Sequence, residues 1–266
     1  MRNITSKDGT TIAYDKIGTG PALILVSGMF EQRAMDSETA RLARLPLLAQ
    51  HFTVYHYDRR GRGDSTDTQP FAVEREIEDI DALIDGAGGS AFVFGISSGA
   101  ALAFETALAL KDKVKKLAMY EPPYNDDQDA RHAWVEFKRE LKELLAAGRY
   151  GDSVGSFMLL LGMPSEQLDE MRQLPMWPMW EVIAPTMAYD AAAIGYDASI
   201  PKDRAARLTV PTLVMNGGAT EFPFMQDTAL TLANAIPNAQ HRTLEGQTHE
   251  VYAEVLAPVL IEFFKT

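Results

Sequence analysis

Short apolar runs alternate with helix-like stretches along most of this chain, and that alternation constrains the fold more than any other feature. Runs such as Ala22–Val26 and Thr53–Tyr57 are typical of strands buried on both faces of a sheet. Stretches such as Phe71–Ile84 and Ala100–Leu110 favour helices between them. The expected architecture is therefore α/β, a mostly parallel sheet with helices on both faces.

The alternation stops midway through the chain and later resumes. Residues 124–200 contain helical stretches and several prolines but no convincing strand. Strand-like segments return at Thr212–Met215 and near Gln240–Leu244. We therefore expect one core built from residues 1–123 and 201–266, with 124–200 inserted as a helical cap, or lid.

Composition excludes several functional classes. The chain has 37 acidic and 25 basic residues, a net charge of −12, which disfavours binding to nucleic acids and anionic membranes. It has no cysteine, which rules out disulfides, thiolate metal sites and a cysteine nucleophile. No apolar run follows the N-terminal charges or approaches the roughly 18 residues of a membrane span. We expect a cytoplasmic monomer or homodimer.

One motif points to chemistry. The strand-like run Ala91–Phe94 leads directly into GISSG at residues 95–99, and a helix-forming stretch follows. This is G-x-S-x-G between a strand and a helix, the setting of a nucleophile on a tight, strained turn. Side chains at Gly95 and Gly99 would collide with the neighbouring strand and helix. A helix-capping serine is the simpler explanation of the bare pattern, but the flanking elements favour Ser97 as a nucleophile.

A serine nucleophile needs a base at neutral pH. His249 lies in the segment EGQTHE, just after the last predicted strand, with the serine earlier in the chain. This order and loop position are those expected for the base. The other four histidines flank or lie in strands, or lie in the insertion, and we assign them structural roles.

With these motifs in place, the sequence resembles the α/β-hydrolase family over the whole chain outside the insertion. The resemblance implies a serine hydrolase of the esterase or lactonase type with a helical cap, which needs no metal or organic cofactor. The segments that carry it are LILVSG at 23–28, YDRRGRGDS at 57–65, GISSG at 95–99, YEPP at 120–123, PTLVMNGG at 211–218 and EGQTHE at 245–250.

The sequence departs from the family in the loop after the first buried strand. The family usually has His-Gly there, whereas this chain has SGMF at residues 27–30. The resemblance implies that this loop supplies an oxyanion N–H from Met29, with Gly28 as the alternative. The N–H of Ser98 would be the second donor of the oxyanion hole.

A second departure concerns the acid that orients the histidine. The position where the family usually has aspartate holds Thr220, with Glu221 one residue later. Glu121 lies at the end of the strand that follows the nucleophile helix, and zearalenone lactonases have a glutamate in a similar E-x-P setting. The carboxyl ends of parallel strands form the functional face of such sheets. We therefore favour Glu121, with Glu221 and Asp126 or Asp127 as alternatives.

The insertion is rich in methionine and tryptophan, as in MWPMW at residues 176–180. Such side chains adapt to irregular apolar shapes, although packing of the insertion onto the core would also explain any one of them. We predict that Trp177 and Trp180, together with Gly28 and Phe30, contact an apolar substrate.

The resulting functional prediction is a serine hydrolase that cleaves an apolar small-molecule ester or lactone through an acyl-enzyme on Ser97. Dehalogenases and epoxide hydrolases of this fold use an aspartate nucleophile, so a serine at this position argues against both. Alternatives that could keep the same residues are a lyase, a cofactor-free haloperoxidase or a ligand receptor with very slow turnover.

Overall fold

A computed structural model describes residues 1–34 and 44–266. Its strands closely follow the apolar runs of the sequence. They are β1 Arg2–Thr5, β2 Thr11–Ile17, β3 Ala22–Val26, β4 Thr53–Tyr57, β5 Ala91–Ile96, β6 Val114–Tyr120, β7 Thr212–Gly217 and β8 Ala239–Leu244. The helices are α1 Arg44–Ala49, α2 Val73–Gly86, α3 Ser98–Leu110, α4 Gln128–Ala146, α5 Tyr150–Leu160, α6 Ser165–Met171, α7 Trp177–Ile183, α8 Met187–Ile194, α9 Lys202–Ala205, α10 Phe224–Ala235 and α11 Ala253–Lys265.

The strands form one sheet in the order β1-β2-β4-β3-β5-β6-β7-β8. The β1–β2 and β2–β4 pairs are antiparallel, and the other pairs are parallel. Alternate residues of β5 enter different cores, with Val93 on one face and Phe92 and Phe94 on the other. The α/β-hydrolase fold, with a mostly parallel sheet covered on both faces, is thereby confirmed.

Helices α4 to α8 lie between β6 and β7, and we call residues 128–194 the helical insertion. Helix α4 begins where the Asp127 carboxylate accepts the backbone N–H of Ala130 at 2.9 Å. Its buried face contains Trp134, Phe137 and Leu141, spaced by three and four residues. Helix α8, at the other end of the insertion, packs against α3, the helix that follows Ser97. The boundaries of a separate cap domain stay a prediction.

Two local features differ from the expectations. Strand β1, at the edge of the sheet, was not predicted from the sequence. It has one half-buried residue, Ile4, and no apolar pattern typical of a strand. Helix α3 begins at Ser98, two residues earlier than predicted, so its first turn lies directly against the nucleophile position. Within the described ranges, no helix has both the length and the apolarity needed to cross a bilayer.

Candidate active site

Ser97 occupies a sharp turn between β5 and α3. Its backbone has φ 54° and ψ −131°, a conformation that L-residues rarely adopt. A Cβ atom on Gly95 would lie 2.4 Å from the carbonyl oxygen of Gly99, and one on Gly99 would lie 2.3 Å from that of Val26. The collisions expected from the G-x-S-x-G motif are therefore real, and the turn requires glycine on both sides of the serine.

His249, in the loop after β8, contacts Glu121 at the end of β6. The Nδ1 atom of His249 lies 2.6 Å from Oε2 of Glu121, whose side chain is fully buried. An ionised carboxylate only accepts hydrogen bonds, so this contact assigns the ring proton to Nδ1. Nε2 is then free to accept a proton, and both Ser97 and His249 line the same cavity.

Both oxygens of the Glu121 carboxylate accept further hydrogen bonds. Oε1 accepts the backbone N–H of Gly217 at 2.8 Å, and Oε2 accepts the hydroxyl of Thr220 at 3.2 Å. The residue at the usual acid position of the family therefore supports the glutamate with a hydrogen bond. These donors satisfy a charge that would otherwise be buried without partners.

The alternative acids have other partners. The Glu221 carboxylate accepts the backbone N–H of His249 at 3.2 Å and so contacts the loop rather than the imidazole ring. Asp127 caps α4. Asp126 accepts the backbone N–H of Ile200 at 2.9 Å and pairs with Lys202. Geometry therefore favours Glu121 over the three alternatives.

The loop after β3 is shaped by one carboxylate. The backbone N–H of Gly28 donates to Oε2 of buried Glu31 at 3.0 Å. Because that N–H is already engaged, Met29 is the better candidate for an oxyanion donor than Gly28. Met29 and Ser98 both line the cavity, and the N–H of Ser98 lies in the first turn of α3, where backbone donors have no partner within the helix.

The cavity beside Ser97 has a volume of about 700 Å³. Its wall is mainly apolar and comes from the helical insertion, the loop after β3 and the start of α10. The larger apolar side chains in it are Met29, Phe30, Trp134, Phe157, Met158, Leu160, Leu161, Leu174, Met176, Met179, Trp180, Ile194, Phe222, Phe224 and Met225. The wall also contains Glu31, Glu250 and Asn125, and none of its described residues is lysine or arginine.

Two of the four predicted substrate contacts line this cavity. Phe30 has φ 61°, and its ring centre lies 5.4 Å from that of Trp180. Trp177 does not line the cavity, because it is buried in the insertion with its indole N–H donating to Glu181 at 2.8 Å. Gly28 also lies outside the lining, and a Cβ there would come within 3.3 Å of the Ser97 side chain.

A buried ionic cluster behind the oxyanion loop was not predicted from the sequence. Asp190 of α8 accepts hydrogen bonds from Arg59 and Arg62, and both arginines are buried with it. Burial alone would raise the pKa of Asp190, but the two guanidinium groups outweigh it and hold that pKa below its usual value. The available signal was a lone carboxylate inside the apolar helix MAYDAAAI.

Within residues 1–34 and 44–266, no three His, Asp or Glu side chains are grouped so that they could hold a metal ion.

The fold and this site define a class of protein. A sequence profile of the alpha/beta hydrolase family matches residues 23–258, and the chain belongs to that family.

Individual proteins of known structure or function are also similar to this chain. An alpha/beta hydrolase from Sphaerobacter thermophilus is 46% identical, with a TM-score of 0.86 over 99% of this chain and 100% of that one. A zearalenone hydrolase from Bionectria ochroleuca is 25% identical over 244 residues, 87% of this chain and 85% of the relative. An enol-lactonase from Burkholderia xenovorans shares the fold at 18% identity, with a TM-score of 0.69 over the full length of both chains.

Proposed function

We propose that the protein is a serine hydrolase that cleaves an ester or lactone bond of a bulky, apolar and uncharged small molecule. The observation that carries this proposal is that Ser97 and His249 line one mainly apolar cavity, with His249 hydrogen-bonded to buried Glu121. Similarity to a zearalenone hydrolase supports the same class of reaction.

The first half of the reaction acylates Ser97. His249 removes the serine proton through Nε2 while the hydroxyl oxygen attacks the carbonyl carbon. The N–H groups of Met29 and Ser98 stabilise the resulting oxyanion. His249 then gives the proton to the leaving alcohol oxygen as the carbon–oxygen bond breaks, and Glu121 stabilises the imidazolium that exists in between.

The second half releases the acid. Water loses a proton to His249 and attacks the acyl carbon, and the serine oxygen leaves and regains the proton. With a simple ester, the alcohol departs before this step. With a lactone, the alcohol stays tethered to the acyl group, and one hydroxy acid is released at the end.

The cavity supports the choice of substrate. A volume of about 700 Å³ lies within the range of pockets that enclose drug-sized ligands. Its wall contains two carboxylates and, among described residues, no lysine or arginine, so an anionic substrate would meet repulsion without a permanent positive charge to offset it. The helical insertion supplies much of this wall and would act as the cap over Ser97.

A panel of p-nitrophenyl esters and aromatic lactones tests the proposal. We expect the wild-type protein to prefer large apolar acyl groups, and Ser97→Ala to lose about a thousandfold or more in turnover. An organophosphate should attach one phosphyl group per chain, at the peptide that contains Ser97. Ser156→Ala is the control, because this hydroxyl donates to Glu140 on the surface of the insertion.

The competing functions predict different results. Label on another residue, or none, would contradict a nucleophilic Ser97. Label on Ser97 without hydrolysis of any ester or lactone would favour a lyase, a cofactor-free haloperoxidase or a slow-turnover receptor. Tight ligand binding with negligible turnover would favour the receptor.

A further inference from the structure

We propose that Asp190, in the helical insertion, is a positioning residue that holds both N–H donors of the oxyanion hole. The inference rests on the proposed function, because it assigns a role in stabilising the oxyanion that the reaction would form. Asp190 is fully buried and comes from α8, which packs against α3. Each of its two carboxylate oxygens is linked to one of the two proposed donors by its own chain of hydrogen bonds.

The first route reaches the donor at Ser98 directly. The Ser98 hydroxyl donates to Oδ1 of Asp190 at 2.7 Å, and the serine is itself buried. This bond fixes the side-chain rotamer of the first residue of α3. The N–H of the same residue is the proposed donor, so the bond anchors the turn that carries it.

The second route reaches the donor at Met29 through an arginine. Arg62 bonds Oδ2 of Asp190 with Nη2 and donates from Nη1 to the carbonyl oxygen of Gly28 at 2.7 Å. The Gly28 carbonyl and the Met29 N–H belong to one planar trans peptide unit and point in opposite directions. Fixing the oxygen behind the loop therefore aims the N–H into the cavity.

Charge makes the carboxylate necessary for this arrangement. Glu76 pairs with Arg59 through two hydrogen bonds of 2.7 and 2.8 Å. Arg62, which is buried as deeply, forms its ion pair with Asp190. Without it, Arg62 would lose this ion pair while staying buried, and we expect it to shift toward other acceptors and release the Gly28 carbonyl.

The protein contains a matched pair for comparison. Arg60, from the same turn as Arg62, is fully buried and bonds Asp79 at 2.7 and 2.8 Å. The remaining bonds of this guanidinium go to Asp8 and to the carbonyl oxygen of Arg75, away from the oxyanion loop. Asp79→Asn thus disrupts an equally buried ion pair while leaving both proposed donors in place.

The experiment compares Asp190→Asn, Ser98→Ala and Asp79→Asn with the wild-type protein. It measures kcat and KM for a p-nitrophenyl ester, urea unfolding, and the affinity of a trifluoromethyl ketone. Ser97 adds to this ketone, its proton passes to His249, and the ketone oxygen becomes an oxyanion. The affinity of the ketone therefore reports the donors in a way that a purely structural role would not change.

We expect Asp190→Asn to lower kcat about 100-fold and the ketone affinity by a similar factor, in the range seen when one oxyanion donor is lost. KM should stay within about threefold, because ground-state binding relies on the apolar wall. Ser98→Ala keeps its N–H and should lose about tenfold in both quantities. Asp79→Asn should unfold at lower urea concentration yet keep kcat and ketone affinity within about threefold.

Equal losses of kcat in Asp190→Asn and Asp79→Asn would overturn the inference, as would a loss of kcat with unchanged ketone affinity. If Asp190→Asn does not fold, Ser98→Ala decides, and wild-type values for it would overturn the inference. A wild-type protein that hydrolyses no ester and takes no label on Ser97 would overturn the proposed function and this role together.

Discussion

Glu121 and Asp190 are both fully buried carboxylates, but their partners differ in charge. Glu121 contacts the imidazole of His249, a hydroxyl and a backbone N–H. Asp190 lies between two guanidinium groups that are always charged. The negative charge of Asp190 is therefore already compensated by positive charge in the resting protein. Glu121 faces a full positive charge only when His249 is protonated.

This difference separates two ways in which a buried acid could serve the same nucleophile. Glu121, at the end of a core strand, would respond to the proton that moves during turnover. Asp190, on a helix of the insertion, would hold a fixed geometry, and its interactions would stay the same throughout turnover. Substitution of the first should chiefly change turnover, and substitution of the second should change both turnover and stability.

The largest expected effect is that of Glu121→Gln. The amide can donate to Nδ1 of His249, which would move the ring proton to Nε2 and remove the base. We expect kcat to fall about a thousandfold or more. The free energy of unfolding, measured in urea, should fall less than in Asp190→Asn, because no buried charge is left without a partner.

Glu221→Gln is the matched control for that substitution. Its carboxylate contacts the backbone N–H of His249, and an amide oxygen can replace that acceptor. Turnover should stay within about tenfold of wild type, the effect of weakening one hydrogen bond. A thousandfold loss in Glu221→Gln alone would make Glu221 the acid and end the contrast with Asp190.

A smaller effect is expected for Thr220→Val, which keeps the shape of the side chain but removes the hydroxyl bonded to Glu121. Loss of one hydrogen bond of this kind should lower kcat about fivefold. Thr228→Val is the control, because this buried hydroxyl donates to the carbonyl oxygen of Tyr124 in a different part of the core. Equal kcat losses in both variants would mean that Thr220 acts through general packing.

The smallest expected effect extends the comparison to a carboxylate near the surface. The hydroxyl of Ser199 and the guanidinium of Arg131 lower the pKa of Asp197 to about 2. A lowered pKa stabilises the fold at neutral pH, and this contribution is lost as pH falls from about 4 toward 2. Asp197→Asn should therefore cost less than about 1 kcal/mol of unfolding free energy at pH 7, with kcat unchanged.

Urea unfolding of both proteins at pH 7, 4 and 3 checks the sign of that effect. The difference between wild type and Asp197→Asn should shrink as pH falls. A difference that stays constant with pH would mean that lost packing, rather than lost charge, causes it.

Much of the fold could be predicted because buried strands leave continuous apolar runs. The predicted bounds of Ala22–Val26 and Thr53–Tyr57 agree with β3 and β4. Strand β1 was missed because a short edge strand with one half-buried residue carries no such pattern. The other edge strand, β8, was located to within one residue, so the failure is specific to β1.

The site was predictable only where sheet topology brings residues together. Ser97 and Glu121 follow neighbouring parallel strands, so their proximity follows from strand order. The choice between Glu121 and Glu221 needed the positions of their side-chain oxygens. Asp190 lies 92 residues from its partner Ser98, and the contact exists only because the insertion folds back onto α3. No local pattern encodes such a contact.

The mouth of the cavity has a consequence for redesign of substrate range. Leu161, Leu174 and Met176 line it from the segments that connect the helices between α5 and α7, and between 40% and 44% of each residue is exposed. Half-exposed side chains outside regular helices contribute little to folding free energy, so a mutant library would tolerate variety there. None of the three belongs to the ion pairs around Asp190. Directed evolution of these three positions could thus change which substrates the cavity admits, while Ser97 and His249 keep their geometry.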